Sequence, residues 1–269
     1  MSHPTSSTLF VITTYNQSEV TKACLDSLSQ IDDIDILVVD DASTDDTLEI
    51  CSNYDVRVIE KDRGYGLTDS WNRAYRYFER RSYRYLVIAN NDILVPKGSI
   101  SEMRNVLDKW PSSLVVPMST RLGAGHQPEQ CINNHYGNNE YETPENYQHV
   151  QDLLMQTKDR ETKSNNLYKF DPIRMKHFNG FFFMMNRNIC QYEREDGNLF
   201  DPKFINVKNE DEFNWAALIP NNDYAMLCKT SFVFHWKGVS FTKAGIDYSN
   251  NFNQLMEQRE NKLNTTVTE

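Results

Sequence analysis

The chain has 269 residues, of which 39% are apolar and 25% are charged, and its formal net charge is −10. A chain of this length buries a substantial core, either as one α/β domain or as two small ones. It offers no basic stripe to neutralise a phosphate backbone, so we expect no nucleic-acid partner. A small phosphate-bearing ligand stays compatible with the charge, because a bound metal ion supplies local positive charge.

The N-terminal residues and the cysteines bear on the compartment. Residues 1–8 have neither a basic start nor an apolar stretch, which argues against a secretory signal. The longest plainly apolar run, residues 181–185, is too short to cross a bilayer. The five cysteines are scattered and lack CxxC spacing, which favours reduced thiols over disulfides or a zinc site. These features predict a cytoplasmic protein without a transmembrane segment.

Short apolar runs rich in β-branched residues alternate with segments of helical period through the first 90 residues. Each run ends in polar residues, which is typical of a buried parallel strand. The alternation predicts an α/β fold with a right-handed, doubly wound, mostly parallel sheet and helices on both faces. The predicted strands are 9–14, 34–39, 56–59 and 85–89; the helices begin at a Ser18 cap, at a Ser43 or Thr44 cap, and near residue 71.

Polar residues cluster where these strands end. In doubly wound sheets ligands bind beyond the carboxyl ends of the strands, so we expect these residues to share one crevice. Asp92 follows a central strand and suits a hard cation shared with substrate phosphates, Mn²⁺ or Mg²⁺, although a plain polar turn is the alternative. The crevice residues are Thr13, Tyr15 and Asn16, then Asp40 and Asp41, then Arg63 and Gly64, and finally Asn90, Asn91 and Asp92.

Beyond residue 96 the pattern is less regular. The polar segment 121–169 is either a solvated excursion or a lid on the acceptor side of the crevice. Residues 246–269 are polar and predict an amphipathic helix with a frayed tail. The other predicted elements are a helix over 100–110, a strand over 114–117, a strand over 181–185 after Gly180, a helix that opens with Glu210 and Asp211, and a strand over 230–235 that ends at His235.

Three strings of residues carry a family resemblance: 13–16 (Thr-Thr-Tyr-Asn), 38–45 (Val-Val-Asp-Asp-Ala-Ser-Thr-Asp) and 90–92 (Asn-Asn-Asp). Together they resemble the nucleotide-sugar-binding half of family 2 glycosyltransferases with the GT-A fold. The third string is also similar to that of a rhamnosyltransferase-like branch. The resemblance implies a nucleotide-sugar-binding half over 1–120, an acceptor-binding and catalytic half over 121–245, and a C-terminal tail over 246–269.

The resemblance also implies roles for single residues in the second half. Asp211 corresponds to the catalytic base of the family, and Gly180 lies beside the donor sugar. His235 helps to hold the metal or the diphosphate, although a packed core histidine is the alternative reading. This chain departs from the family at Trp215, because many members carry an arginine later in that helix.

In the first half, Asp41 or its neighbour Asp40 is expected to accept a hydrogen bond from the ring N–H of the nucleobase, with Tyr15 and Thr13 beside it. Arg63 adds a positive contact to phosphate. Asn90 and Asn91 replace aspartates, so this motif supplies one carboxylate.

The implied activity is an inverting transfer of a sugar from a UDP or dTDP donor to a hydroxyl of a glycan, lipid-linked or polysaccharide acceptor. A non-catalytic nucleotide-sugar or carbohydrate-binding protein on the same fold is the alternative, and the neutral Asn90–Asn91 pair is its best support. The sequence does not indicate an oligomeric state.

Overall fold

The computed structural model describes residues 6–120, 127–136, 143–163, 170–206 and 208–236. Within these ranges, no helix combines the length and the apolar character that crossing a membrane requires. The strands are β1 (Thr8–Thr14), β2 (Ile34–Asp40), β3 (Val56–Glu60), β4 (Tyr85–Asn90), β5 (Ile93–Leu94), β6 (Leu114–Met118), β7 (Ile173–Met175), β8 (Phe182–Asn186), β9 (Ala225–Phe232) and β10 (Phe234–His235).

Helices connect and cover these strands. The α-helices are α1 (Ser18–Leu28), α2 (Thr47–Cys51), α3 (Leu67–Glu79), α4 (Ser99–Lys109), α5 (Ile132–Tyr136), α6 (Tyr147–Lys163) and α7 (Asn209–Phe213), and α7 continues into a π-helical turn, Asn214–Leu218. Short 3₁₀ turns span Pro128–Gln130, Pro144–Asn146, Arg187–Tyr192 and Ile219–Asn221.

Eight strands form one mixed sheet in the order β3-β2-β1-β4-β8-β6-β9-β7. The strands β3, β2, β1 and β4 are mutually parallel, and β8 runs antiparallel between β4 and β6. Beyond them β9 is parallel to β6, and β7 closes the edge in antiparallel orientation. A separate antiparallel pair, β5 with β10, lies beyond the end of β4. The predicted doubly wound, mostly parallel sheet is confirmed.

Side chains on the central strands alternate between two cores. On β1, Leu9 and Val11 belong to the cluster that includes Trp71 of α3. Phe10 and Ile12 belong to the cluster on the other face, together with side chains of α1 and α4. Because successive strand residues point to opposite faces, a strand that is apolar at every position must be covered on both. This is why the strand runs of the sequence are continuous rather than alternating.

Two predicted helix caps are wrong by a few residues. Gln17 is the N-cap of α1, with a left-handed φ of 66°, and Ser18 is the first helical residue. Asp46 is the N-cap of α2 rather than Ser43 or Thr44. At α2, Ser43 does not cap the helix because its backbone N–H and hydroxyl both donate to the Asp40 carboxylate.

Part of the polar segment 121–169 is a packed helix and not a solvated excursion. The side chain of Gln151 on α6 donates to the Thr230 carbonyl and accepts from the Phe232 N–H of β9, at 2.8 Å each. Lys158 of α6 forms an ion pair with Glu102 of α4. The lid alternative for 121–169 stays a prediction, since residues 121–126, 137–142 and 164–169 of that segment lie outside the described residues, as does the tail 246–269.

Candidate active site

A cavity of about 660 Å³ opens at the carboxyl ends of the parallel strands. It lies where the strand order reverses. The strands β2 and β3 extend the sheet on one side of β1, and β4 then lies on its other side. The volume is within the range of small-molecule sites. Its lining includes residues at the end of, or just after, β1 (Thr13, Thr14, Tyr15), β2 (Asp41, Ala42), β3 (Arg63, Gly64, Tyr65, Gly66) and β4 (Asn90, Asn91), together with Ile205 and Asn206.

Asp41 is the carboxylate of this cavity. Its Oδ1 accepts from the Tyr65 N–H at 2.8 Å and pairs with the Lys61 ammonium at 2.6 Å. Its Oδ2 accepts from the Gly66 N–H at 3.0 Å. A carboxylate has about four acceptor positions. These three donors therefore leave one position, on Oδ2, for a ligand in the cavity.

Asp40, the sequence alternative to Asp41, faces away from the cavity. It is fully buried, and its carboxylate accepts from Ser43. Asn16 also braces the loops rather than lining the cavity, since its side-chain oxygen accepts from the Thr44 N–H at 2.7 Å. Its own N–H donates to the Ser43 hydroxyl at 2.7 Å. The geometry therefore favours Asp41 over Asp40 and gives Asn16 a supporting position.

Lys61 is a residue that the sequence reading missed. Its side chain is fully buried, pairs with Asp41 and with Asp69 at 3.1 Å, and donates to the Gly66 carbonyl at 3.2 Å. A buried ammonium is stable only when it is paired in this way. In the sequence, the one feature that points to Lys61 is its position two residues after the third predicted strand.

Arg63 and Gly64 lie where they were predicted, but their neighbours explain more of the loop. The Arg63 guanidinium stacks on the Tyr65 ring, 4.6 Å from its centroid. A Cβ at Gly64 would meet nothing closer than 3.7 Å. Gly66, in contrast, has a φ of +88°, and a Cβ there would lie 2.9 Å from the Ile205 carbonyl oxygen and 2.5 Å from the Ile205 side chain. Gly66 is therefore the glycine that this loop requires.

A distant segment completes the cavity wall. The Asn206 side chain accepts from the Leu67 N–H at 3.1 Å, and the Ile205 carbonyl accepts from the Thr68 N–H at 3.0 Å. The Thr68 hydroxyl also donates to the Phe204 carbonyl. These bonds satisfy N–H groups at the start of α3 that have no partner inside the helix. No local sequence signal identifies this contact, because about 140 residues separate its two sides.

The two asparagines after β4 have different environments. Asn91 is buried and donates from its amide to the hydroxyls of Thr21 at 2.9 Å and Thr14 at 3.2 Å. It therefore ties the end of β4 to α1 and β1. Asn90 is only partly buried at the cavity edge. Thr13, on the neighbouring strand, donates to the Ala89 carbonyl at 3.2 Å.

Asp92 and His235, the predicted metal ligands, come together. The Asp92 carboxylate Oδ1 lies 3.2 Å from Nε2 of His235, and both side chains are buried. The β5–β10 pairing and a bond from the Trp236 N–H to the Asp92 carbonyl hold the two segments in place. The His235 ring also stacks on Phe181, with centroids 4.4 Å apart.

These two side chains fit a divalent cation. Oδ1 of Asp92 is buried and makes no hydrogen bond of good geometry to any described residue, although Nε2 of His235 is near it. A carboxylate and an imidazole whose facing atoms lie 3.2 Å apart are ligand types suited to a shared divalent ion. Nowhere in the described ranges do three or more His, Cys, Asp or Glu side chains gather as a metal cluster. A cation here would therefore take its remaining ligands from water or substrate phosphate, as Mg²⁺ commonly does.

Asp211 lies in the first turn of α7 with two cationic or polar partners. Its Oδ1 is 3.3 Å from Nδ1 of His177, and its Oδ2 is 3.1 Å from the Lys208 ammonium. Acidic residues in a first helical turn also interact favourably with the helix dipole. His177 is a second residue that the sequence reading did not single out, because only the fold brings it to Asp211.

Gly180 lies against the same helix. A Cβ on Gly180 would come within 3.0 Å of both the Glu210 carboxyl group and the Trp71 ring. The pKa of Glu210 is raised to about 7. Desolvation in this crowded position is the larger cause, and the negative charge of the adjacent Asp211 is the second. Gly180 thus packs against Glu210 and Trp71, and its expected position beside the donor sugar stays a prediction.

Comparisons with known proteins agree with this architecture. The sequence model of the family described as "Glycosyl transferase family 2" matches residues 9–191 of the chain. Comparison with curated proteins gave no match.

Solved structures share the fold at low sequence identity. The mannosyltransferase PcManGT from Pyrobaculum calidifontis, in complex with GDP-Man and Mn²⁺, is 16% identical with a TM-score of 0.55, over 88% of this chain and 59% of its own. GalNAc-T7 with UDP, GalNAc and Mn²⁺ is 14% identical with a TM-score of 0.59, over 85% and 43%. S. aureus TarS 1–349 with UDP-GlcNAc is 12% identical with a TM-score of 0.54, over 87% and 60%.

At these identities the likeness shows the fold, and the chain spans between 43% and 60% of the length of these three proteins. The family match covers more than half of the chain. It includes the strand ends that form the cavity. The protein therefore belongs to glycosyl transferase family 2 and has the GT-A fold.

Proposed function

We propose that the protein transfers a sugar from a nucleoside diphosphate donor of the UDP or dTDP type to a hydroxyl of a glycan, lipid-linked or polysaccharide acceptor, with inversion at the anomeric carbon. The observation that carries the donor proposal is the remaining acceptor position on Oδ2 of Asp41. Uracil and thymine each present a ring N–H donor, which suits a carboxylate acceptor. Tyr15 is exposed at the cavity mouth and offers a stacking surface.

The phosphates of the donor fit the other side of the cavity. Asn90 and Asn91 line the cavity and directly precede Asp92, and Arg63 lines it from the loop after β3. Asp92 and His235 would hold Mn²⁺ or Mg²⁺. When bound, such an ion neutralises charge on the leaving diphosphate. Complexes of PcManGT and GalNAc-T7 with Mn²⁺ are consistent with this assignment.

Asp211 is the proposed general base. It removes the proton from the acceptor hydroxyl as the oxygen attacks the anomeric carbon. The chain supports this position, because Ile205 and Asn206 line the donor cavity and α7 begins only a few residues later. The contacts of Asp211 with Lys208 and His177 fix the orientation of its carboxylate.

The donor proposal is tested by calorimetric titration with UDP, dTDP and GDP, each with Mn²⁺ and again with EDTA. We expect metal-dependent binding of UDP or dTDP. Asp41→Asn should weaken the binding of the nucleotide about tenfold or more, because an amide cannot replace a held carboxylate acceptor. Asp92→Ala should abolish the metal dependence. Binding of GDP alone, or of none of the three nucleotides, contradicts the proposal.

The catalytic proposal is tested with Asp211→Asn. This change keeps the shape of the side chain but removes the base, so turnover should fall at least about a hundredfold while nucleotide affinity is retained. Glu212→Gln, at the next position of the same helix, is the matched control. Near-normal turnover in a folded Asp211→Asn protein would exclude Asp211 as the base.

A further inference from the structure

Some of the exposed large hydrophobic side chains belong to the segments that form the candidate active site. In the described part of the chain there are five of them: Tyr15, Val58, Trp110, Ile205 and Trp215. Tyr15 and Ile205 line the donor cavity. Trp215 lies on the turn that continues α7, four residues after Asp211. Single exposed apolar side chains are common, so the case for a binding surface rests on what Trp215 contacts.

His177 connects Trp215 to the proposed base. The imidazole lies 3.3 Å from Oδ1 of Asp211 through Nδ1, and its ring centroid is 5.7 Å from that of Trp215. Trp215 is 48% exposed, and the His177 side chain is 39% exposed. The two rings therefore form an aromatic surface whose inner edge contacts the carboxylate that must reach the acceptor hydroxyl. We call the pair Trp215 and His177 the aromatic platform.

We propose that the aromatic platform is the acceptor subsite and that it binds a neutral pyranose ring. This inference rests on the proposed transfer reaction, because it names the acceptor of that reaction. A pyranose presents a face of C–H groups, which packs on the electron-rich face of an indole, and hydroxyls around its edge. A sugar stacked on Trp215 directs an edge hydroxyl toward Asp211 and His177.

Local charge selects a neutral sugar. Asp211 and Glu212 are consecutive acidic residues of α7 next to the platform, where Lys208 and His177 contact Asp211. An acceptor that carries a carboxylate or a phosphate at this position would be repelled by these groups. A hydroxyl-rich ring without charge meets no such penalty. The platform therefore distinguishes a glycan end from an anionic acceptor.

The test uses the indole N–H signals of the full chain labelled with ¹⁵N-tryptophan, which contains four tryptophans. Signals are assigned from Trp215→Ala and Trp110→Ala, and spectra are recorded with UDP and Mg²⁺, which is diamagnetic. The probes are methyl glucopyranoside, methyl N-acetylglucosaminide and methyl rhamnopyranoside, with methyl glucuronide as the anionic comparison. We expect a neutral probe to shift the Trp215 signal and leave the Trp110 signal in place.

Affinity measurements with the same probes separate stacking from general folding. Trp215→Ala should weaken binding of the neutral glycoside about three- to tenfold, and Trp215→Phe should restore most of it, because the stacking face is aromatic. Trp110→Ala, which removes the other exposed tryptophan, should change nothing. UDP affinity, measured separately, should stay the same in all of these variants.

The outcomes are distinguishable. Failure of both UDP and dTDP to bind the wild type contradicts the proposed function, whereas binding of either nucleotide without any glycoside effect on Trp215 overturns the platform alone. Unchanged glycoside affinity in Trp215→Ala overturns it as well. Methyl glucuronide binding as tightly as the neutral probes contradicts the charge argument. Loss of both UDP and glycoside binding in Trp215→Ala, without rescue by Trp215→Phe, assigns Trp215 a structural role.

Discussion

The ammonium of Lys61 lies 2.6 Å from Oδ1 of Asp41, inside the wall of the donor cavity. The lysine side chain is buried, and it also pairs with Asp69 on α3. It thereby connects the end of β3 to the end of β2 and to the helix that covers them. The buried ammonium and two backbone N–H groups hold the Asp41 carboxylate in a fixed position before a ligand arrives.

Replacing Lys61 should therefore affect both stability and nucleotide affinity. Lys61→Met keeps the bulk of the side chain but leaves Asp41 and Asp69 close together without their cation. We expect a loss of about 2–3 kcal/mol in the free energy of unfolding, since removing one partner of a buried ion pair leaves the other charge without compensation. UDP affinity should fall about tenfold or more, which calorimetry measures.

Lys22→Met is the matched control for this prediction. Lys22 pairs with Asp26 on the solvent side of α1, where the pair is highly exposed. Such pairs contribute little to stability. Denaturant unfolding should therefore leave Lys22→Met close to the wild type. A Lys61→Met protein with normal stability and normal UDP affinity would show that the buried pair has no such role.

The second prediction compares two glycines in the loop after β3. Gly66→Ala should destabilise the protein by about 1–3 kcal/mol, because φ is +88° there and the new Cβ would meet the Ile205 backbone. The wall formed by Ile205 and Asn206 should also shift, so UDP affinity should fall. Gly64→Ala serves as the control, since that site has room for a Cβ. Equal melting temperatures for the two variants would contradict the prediction.

How much of this site the sequence predicts depends on whether a contact is local. Asp41 and Asn90 are predictable because each directly follows an apolar strand, and parallel strands bring such ends together. The choice between Asp40 and Asp41 needs both kinds of contact, because the nearby Ser43 binds the Asp40 carboxylate while residues 65 and 66 of a later loop bind Asp41. Gly66 resembles Gly64 in sequence, and only its φ and its contact with Ile205 separate them.

Other parts of the site depend on segments far apart in the chain. Lys61 follows a predicted strand, but its burial depends on Asp69 of the next helix. His177 reaches Asp211 across 34 residues, and neither side chain reveals the other in the sequence. The helix α6 was missed because its buried face is held partly by the polar Gln151, which weakens the apolar period on which helix prediction depends.

The third prediction concerns the metal site. His235→Asn should reduce Mn²⁺-dependent UDP affinity at least about tenfold while leaving the affinity in EDTA unchanged, because only the ion uses the imidazole. His149→Asn, at an exposed position of α6, is the control. Calorimetry with and without EDTA measures both arms. An equal loss of affinity with and without metal would mean that His235 acts through its packing on Phe181 and not through an ion.

The last prediction concerns the pH dependence of stability. The pKa of Glu210 is raised from 4.5 to about 7, first by desolvation and then by Asp211. Below pH 4.5 the carboxyl is protonated in both the folded and the unfolded state, so its full contribution to stability is present there. As pH rises from 4.5 through 7, the unfolded state releases the proton more readily, and stability is lost.

Glu210→Gln removes this loss. The variant should match the wild type near pH 4.5 and exceed its free energy of unfolding at pH 8 by about 1–3 kcal/mol, a range that allows for partial exposure of the side chain. Glu129→Gln, at an exposed position, controls for removing one negative charge from an acidic protein. Urea unfolding at pH 4.5, 6 and 8 gives the three points. A constant difference between Glu210→Gln and the wild type across them would show that Glu210 ionises equally in both states.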